Sequence, residues 1–342
     1  MNNRKSIIIS CIFLGLFFFV SFKTKTSATL NTFKISGFAQ GTSYHITYYA
    51  GDSVVLKNQV DSLLDRIDSS LSVYKTYSLI SKFNRSKKGV KIDDYLRVVV
   101  DKSLEIYKNT RGVSDITVYP LVNCWGFGPA KVSKMPEAAT IRSILPCIGA
   151  SKIHLRGKFL LKDIPCTKID VNGIAQGYSV DLVANFLEGK GIQHYLVEIG
   201  GELKIKGRRQ PNGTMMQIGL EAPAPDFFDK PVVEKIIHLD QGAITTSGNY
   251  RKYTMVRGKF ISHLINPKTG YPFQNELISV TVWAKDAITA DGYDNALMGM
   301  GLSKSFSFLK HHKELEAYFI YRDKQGVVKD TATTGFYSLI NN

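Results

Sequence analysis

Cysteine is scarce in this 342-residue chain, four in all, and no two stand at a spacing that a zinc site requires. Cys11 falls in an apolar N-terminal segment, which leaves Cys124, Cys147 and Cys166. One disulfide is open to this odd set, but three buried thiols is the expectation. Blocks of like charge are missing too. The formal charge is +15, yet lysine and arginine are scattered, which argues against a nucleic-acid face and leaves only a mild attraction for anionic ligands or membrane surface. Strands and helices do not alternate in a βαβ rhythm, so a doubly wound parallel sheet is excluded. The glycine-punctuated stretch 170–201 matches neither the Rossmann nor the P-loop fingerprint.

Residues 1–28 read as a targeting segment. Arg4 and Lys5 give it a positive start, residues 7–22 are almost unbroken apolar chain, and Thr26-Ser27-Ala28 offers small residues for cleavage. The segment is therefore a signal peptide or an N-terminal membrane anchor, the run being short for a full span. Lipidation at Cys11 is rejected, because almost no hydrophobic region precedes it. The protein is expected to be exported to the periplasmic side of the cytoplasmic membrane, with inner-membrane association through this segment if it is retained.

Residues 29–342 suffice for one large domain or two intimately packed lobes. Helices are expected over residues 54–71, 95–110, 137–145, 175–190, 287–300 and 304–311. Strands are expected over 44–49, 195–199, 202–207, 215–220, 232–239, 243–245, 260–265, 278–284 and 316–322, with a short one near 335–340. Residues 202–207 and 215–220 read as a hairpin, and Thr246-Ser247-Gly248-Asn249 as a turn. The fold class is α+β, with mixed, largely antiparallel sheets and packed helices.

The chain is organised around residues 170–201, DVNGIAQGYSVDLVANFLEGKGIQHYLVEIGG. An acid and a glycine turn lead into a helix, Gly189 and Gly191 end it, and a strand runs into Gly200-Gly201. The helix start offers backbone amides, and the glycines let backbone approach a phosphate or pyrophosphate closely. An ordinary loop–helix–strand unit fits the same pattern. In TADGYDNALMGMG, Asp291 and Asn295 are four apart on a helix and share a face. A carboxylate and an amide oxygen make a hard, oxygen-only pair suited to Mg²⁺ or Ca²⁺. Asp294 is the alternative carboxylate, and the plainer role for Asp291 is to charge the first helical turn. His263, at a strand end in ISHLINPKTG, is either a base for a hydroxyl near neutral pH or a hydrogen-bonded structural histidine.

The motifs GTSYHI, LSVYKTYSLISKFN, GVSDITVYPLVNCWGFG, DVNGIAQGYSVD, VEIGGELKIKG, TTSGNY, SHLINPKTGYP and TADGYDNALMGMG follow one another in that order. Over roughly residues 38–302 the chain resembles the ApbE family of FAD:protein FMN transferases. The resemblance implies a two-lobed single catalytic unit. In that family FAD is split at its pyrophosphate, FMN is joined through its phosphate to a threonine or serine hydroxyl of an acceptor protein, and AMP leaves. The partner implied is a flavoprotein subunit of an exported or membrane redox complex. Carried over by position, Asp291 and Asn295 bind Mg²⁺ with the backbone carbonyl of Gly173. Gln40, Tyr74, Val113, Ser114, Asp115, Asp170, Gln176 and Ile265 contact the substrate FAD, and His263 is the base. The chain departs from the family at Asn295, more often threonine, at Gln176, commonly lysine, at Gln40, usually methionine, and at Ser114, usually phenylalanine. An FAD pyrophosphatase and an exported flavin-binding protein without turnover are the competing readings.

Overall fold

Alternation decides the sheet. Tyr44, Ile46 and Tyr48 share one face of a strand and are fully buried, while His45 between them is exposed. A computed structural model describes residues 30–129, 134–222, 232–249, 253–256 and 259–341. The targeting segment expected over residues 1–28 lies outside the described residues.

The first elements are β1 (Asn31–Ala39), β2 (Thr42–Ala50), α1 (Lys57–Leu71), α2 (Leu79–Arg85), β3 (Gly89–Lys91), α3 (Asp94–Asn109), α4 (Tyr119–Cys124) and α5 (Ala138–Ile144). Next come β4 (Ile153–Arg156), β5 (Phe159–Lys162), α6 (Ala175–Gly189), β6 (His194–Ile199), β7 (Glu202–Lys206), β8 (Met216–Ala222), β9 (Val232–Leu239) and β10 (Gln241–Gly248). The chain ends through β11 (Tyr253–Val256), β12 (Lys259–Ser262), β13 (Leu277–Ala284), α7 (Ala287–Met300), α8 (Leu302–Leu309), β14 (Glu316–Arg322), β15 (Val328–Ala332) and α9 (Thr334–Asn341).

Eight strands form one sheet in the order β1-β2-β6-β7-β10-β13-β14-β15, antiparallel throughout. Both faces are covered, so neighbouring residues on one strand enter different cores. Ala317 and Phe319 of β14 join the helices α1, α3, α6 and α7 in the main core, whereas Tyr318 and Ile320 join α9 and the β8–β9 ribbon in a second. A third cluster gathers Leu121, Trp125, Ile141, Ile148 and Ile265, and the Trp125 indole donates to the Gly270 carbonyl at 2.7 Å. The α+β class and antiparallel sheet match the expectation.

Four local expectations are corrected. Cys147 and Cys166 form a disulfide, and among the described residues only Cys124 remains a thiol. The β4–β5 hairpin between the two cysteines folds the chain back and brings them together, which spacing along the sequence does not reveal. Residues 202–206 pair with β6 across Gly200-Gly201, both at positive φ, while residues 216–222 pair with β9. The two-glycine turn closes a tighter hairpin than the one expected. Thr246, Ser247 and Gly248 continue β10 beside β13 instead of turning. Finally, residues 334–341 are helical, because Phe336, Leu339 and Ile340 meet the second core at helical spacing.

Candidate active site

Two helices build the site, and a missing side chain lets them touch. A Cβ on Gly177 of α6 would stand 2.3 Å from the Ala287 carbonyl oxygen and 2.7 Å from Asp291 Cβ, so only glycine fits this crossing of α6 with α7. The Gly177 amide, in the first turn of α6, donates to Asp291 Oδ2 at 2.8 Å. One turn further along α6, Asp181 accepts from the amides of Ala287 and Ile288 at 3.0 and 2.8 Å and pairs with Lys204 at 3.0 Å. Each helix thus has its N-terminus held by a carboxylate of the other, the arrangement the peptide dipoles favour. Burial raises the Asp181 carboxyl, while Lys204 and the two amides pull it down.

This crossing places the expected metal ligands together. Asn295, one turn beyond Asp291 on α7, directs Nδ2 at the carbonyl oxygens of Gly173 and Asp291, each 3.4 Å away. Its Oδ1 accepts from the Ser247 hydroxyl at 3.0 Å. Asp291 is buried, Asn295 half-buried and Gly173 exposed, so the group opens to solvent at the Gly173 end. Gly173 is not among the positive-φ glycines; what it needs is the close approach of Asn295, whose Nδ2 would lie 3.1 Å from an added Cβ. Beneath lies Asp294, whose buried Oδ1 has no hydrogen-bond partner among the described residues. Burial and the Asp291 charge push its carboxyl well above the usual range.

Seven of the eight FAD-contact candidates divide into three groups, and Ile265 stands apart. Asp170 accepts from the Asn172 amide at 2.9 Å, fixing the turn into Gly173. Tyr74 is 58% exposed. Its phenol is raised by burial and by the Asp170 charge, against a hydrogen bond with Asn172, so Tyr74 and Asp170 border the same opening. Gln176 donates to the Ile199 carbonyl at 3.0 Å and lies over Gly200, where a Cβ would come within 1.8 Å of its amide nitrogen. Gln40 sits at φ 54° in the β1–β2 turn and donates to Ser179 Oγ at 2.8 Å. Both glutamines therefore attach strand ends to α6.

Val113, Ser114 and Asp115 form the third group. Val113 faces Gly299 of α7, where a Cβ would meet its Cγ1 at 2.9 Å, and the Ser114 amide donates to Thr110 Oγ1 at 3.3 Å. The Asp115 carboxylate is buried and turned inward. Its Oδ1 accepts from the Thr117 amide and hydroxyl at 2.8 and 2.6 Å, and Oδ2 from the Ala150 amide at 3.1 Å. Its side chain therefore shapes the loop. Ile265 is buried in the third cluster and bridges Pro272.

His263 follows β12, its ring edge-on to Phe127 at 6.4 Å. A short relay ties this segment to the metal candidates. Ser262 donates to Asn249 Oδ1 at 2.7 Å, Asn249 binds Leu277 and Ile278 on β13, and Ser247 two residues earlier holds Asn295. Asp181, Ser247, Asn249 and Ser262 were not singled out from sequence. The last three lie in TTSGNY and SHLINPKTGYP, so motif membership was the available signal. Asn84 was missed as well; it holds both the amide and the carbonyl of Ile169, at 2.7 and 2.9 Å, just before Asp170.

Residues 40–319 match the sequence model of the ApbE family. An FAD:protein FMN transferase of Vibrio cholerae is 35% identical over 309 residues, 88% of this chain and 91% of that one. Its Haemophilus influenzae counterpart is 34% identical over 312 residues, covering 87% and 89%. Among solved structures, the flavin transferase ApbE from Vibrio cholerae aligns with TM-score 0.81 at 33% identity, over 91% of this chain and 99% of that one. The apo flavinyl transferase ApbE of Pseudomonas stutzeri gives 0.82 at 33%, over 92% and 98%. These are flavin transferases of mixed α and β architecture. The chain belongs to the ApbE family.

Proposed function

We propose that the protein is an exported, Mg²⁺-dependent FAD:protein FMN transferase that attaches FMN to a threonine or serine of an acceptor redox subunit and releases AMP. The observation that carries this reading is the meeting of the Gly173 carbonyl, Asp291 and Asn295 at the α6–α7 crossing, at an opening bordered by Asp170 and Tyr74. The donor set fits the cation. It is oxygen-rich and hard, and no group of three or more His, Cys, Asp or Glu that would suit a softer metal occurs among the described residues. Asp291 and Asp294 crowd negative charge that a cation would offset. The Asn295 amide presents oxygen instead of nitrogen after a half-turn, and the Ser247 hydroxyl, donor and acceptor both, partners either orientation.

Gly173, Asp291 and Asn295 would hold Mg²⁺, which would supply neutralisation of the pyrophosphate charge and of the leaving AMP. Asp170 and the 113–115 loop orient FAD, and Tyr74 offers a ring face to flavin or adenine. His263 takes the proton from the acceptor hydroxyl as its oxygen attacks the FMN phosphorus in line with the departing AMP oxygen. Export is supported by the apolar N-terminal run and by the Cys147–Cys166 disulfide, which suits an oxidising compartment.

Incubating the full chain with FAD, Mg²⁺ and a candidate acceptor redox subunit, then weighing both proteins, tests the reading. An FMN adduct on an acceptor threonine or serine is expected. Free FMN with unmodified acceptor would make the protein a pyrophosphatase, and intact FAD a binding protein.

A further inference from the structure

The Cys147–Cys166 disulfide joins two segments that separately grip the wall of the proposed FAD site. From the first segment, the Gly149 amide donates to Thr117 Oγ1 at 2.7 Å and the Ala150 amide to Asp115 Oδ2 at 3.1 Å. From the second, Lys168 bridges Val118 in parallel, and the Asp170 amide donates to the Ile116 carbonyl at 2.7 Å. Thr167 Oγ1 donates to the Cys147 carbonyl at 2.9 Å, and Lys162 Nζ donates to the Thr167 carbonyl at 2.7 Å. The loop of residues 113–118 is thus held between segments 147–150 and 166–170, and one covalent bond fixes the spacing of those two segments.

We infer that this disulfide is a positioning clamp for the FAD-binding wall, and that opening it weakens FAD binding while leaving the chemistry of bound FAD intact. The inference rests on the FAD site proposed above. Asp170 and the 113–115 segment lie on the clamped loops, whereas Asp291 and Asn295 stand on α7 and are set by the α6–α7 crossing, which the disulfide does not touch. The bond is also reachable, since Cys166 is exposed and Cys147 half-buried. A dithiol attacks the Cys166 sulfur as thiolate, the S–S bond breaks, and Cys147 leaves as thiolate. The second thiolate of the reductant then attacks the mixed disulfide and frees Cys166. Two electrons pass from the dithiol, which ends as a disulfide, and its two protons end on the cysteines.

The test compares oxidised protein, dithiothreitol-reduced protein and the Cys147→Ser/Cys166→Ser variant. FAD affinity is read from flavin fluorescence with the metal chelated, and transfer kinetics are read with Mg²⁺. Reduction is expected to raise the Kd and KM for FAD about 5-fold, the scale of one net hydrogen bond. Turnover at saturating FAD should stay within about twofold, and reoxidation should restore affinity. A Cys124→Ser variant should show the same oxidised-to-reduced difference. Equal FAD affinity in folded oxidised and reduced protein overturns the clamp. So does loss of the native near-ultraviolet dichroism on reduction, which would make the bond a global staple. Oxidised protein that does not bind FAD brings down the site reading, and the clamp with it.

Discussion

Gly177→Ala probes the α6–α7 crossing most sharply. An ideal Cβ at this position stands 2.3 Å from the Ala287 carbonyl oxygen and 2.7 Å from Asp291 Cβ. Nonbonded heavy atoms settle near about 3.5 Å, so the helices must part by about 1 Å. Such overpacking costs about 1–3 kcal/mol, and the higher helix propensity of alanine offsets about 1 kcal/mol of it. The net destabilisation should therefore be about 0–2 kcal/mol, small enough to leave the protein folded. The effect on turnover should be far larger, because Asp291 bonds the Gly177 amide directly. A displacement of about 1 Å in a catalytic group typically costs about 10²-fold in rate. Urea unfolding and single-turnover FMN transfer, run on the same preparation, separate the two effects. Gly189→Ala serves as control, since a Cβ there meets nothing within 4 Å; it should match or exceed wild-type stability at an unchanged rate. A folded Gly177→Ala protein with wild-type Mg²⁺ affinity and transfer rate would refute the reasoning.

Three further outcomes are expected. Asp170→Ala should weaken FAD binding more than it slows the reaction of bound FAD, measured as a KM rise exceeding the kcat loss. His263→Ala should bind FAD and Mg²⁺ normally yet transfer FMN about 10²–10⁴-fold more slowly, the scale of a positioned general base; a loss of melting temperature with proportionate activity would make the histidine structural. Burial, helped by the nearby Lys168 charge, pushes the Lys162 ammonium down to about 8 from 10.5. The unfolded chain therefore holds more protons than the folded one between pH 8 and 10.5. Across that window wild-type stability should rise relative to Lys162→Met, and parallel stability curves for the two would contradict it.

Sequence made the long periodic elements legible. Residues 175–190 and 287–300 became α6 and α7 nearly to the residue, and the four-residue spacing of Asp291 and Asn295 placed them on the face that meets Gly173. What sequence hid was contact between distant segments. Nothing in the spacing of Cys147 and Cys166 tells that a hairpin folds them together, and nothing local to Asp181 tells that it caps α7, 106 residues away in sequence. Thr246 and Ser247 have turn-like composition, but pairing with β13 overrides local preference and sets Ser247 against Asn295. Asp115 shows the opposite failing. Its motif points to the ligand, yet its carboxylate is spent on Thr117 and Ala150.

The claim at the centre is that the α6–α7 crossing holds the cation on which transfer depends. The most direct measurement is the Mg²⁺ dependence of FMN transfer by Asp291→Ala beside wild type, with circular dichroism to verify the fold. Wild-type transfer should rise and saturate with Mg²⁺, while the folded variant should show no Mg²⁺-dependent transfer at any concentration that saturates wild type. An Asp291→Ala protein that is folded and follows the wild-type Mg²⁺ curve would contradict the account.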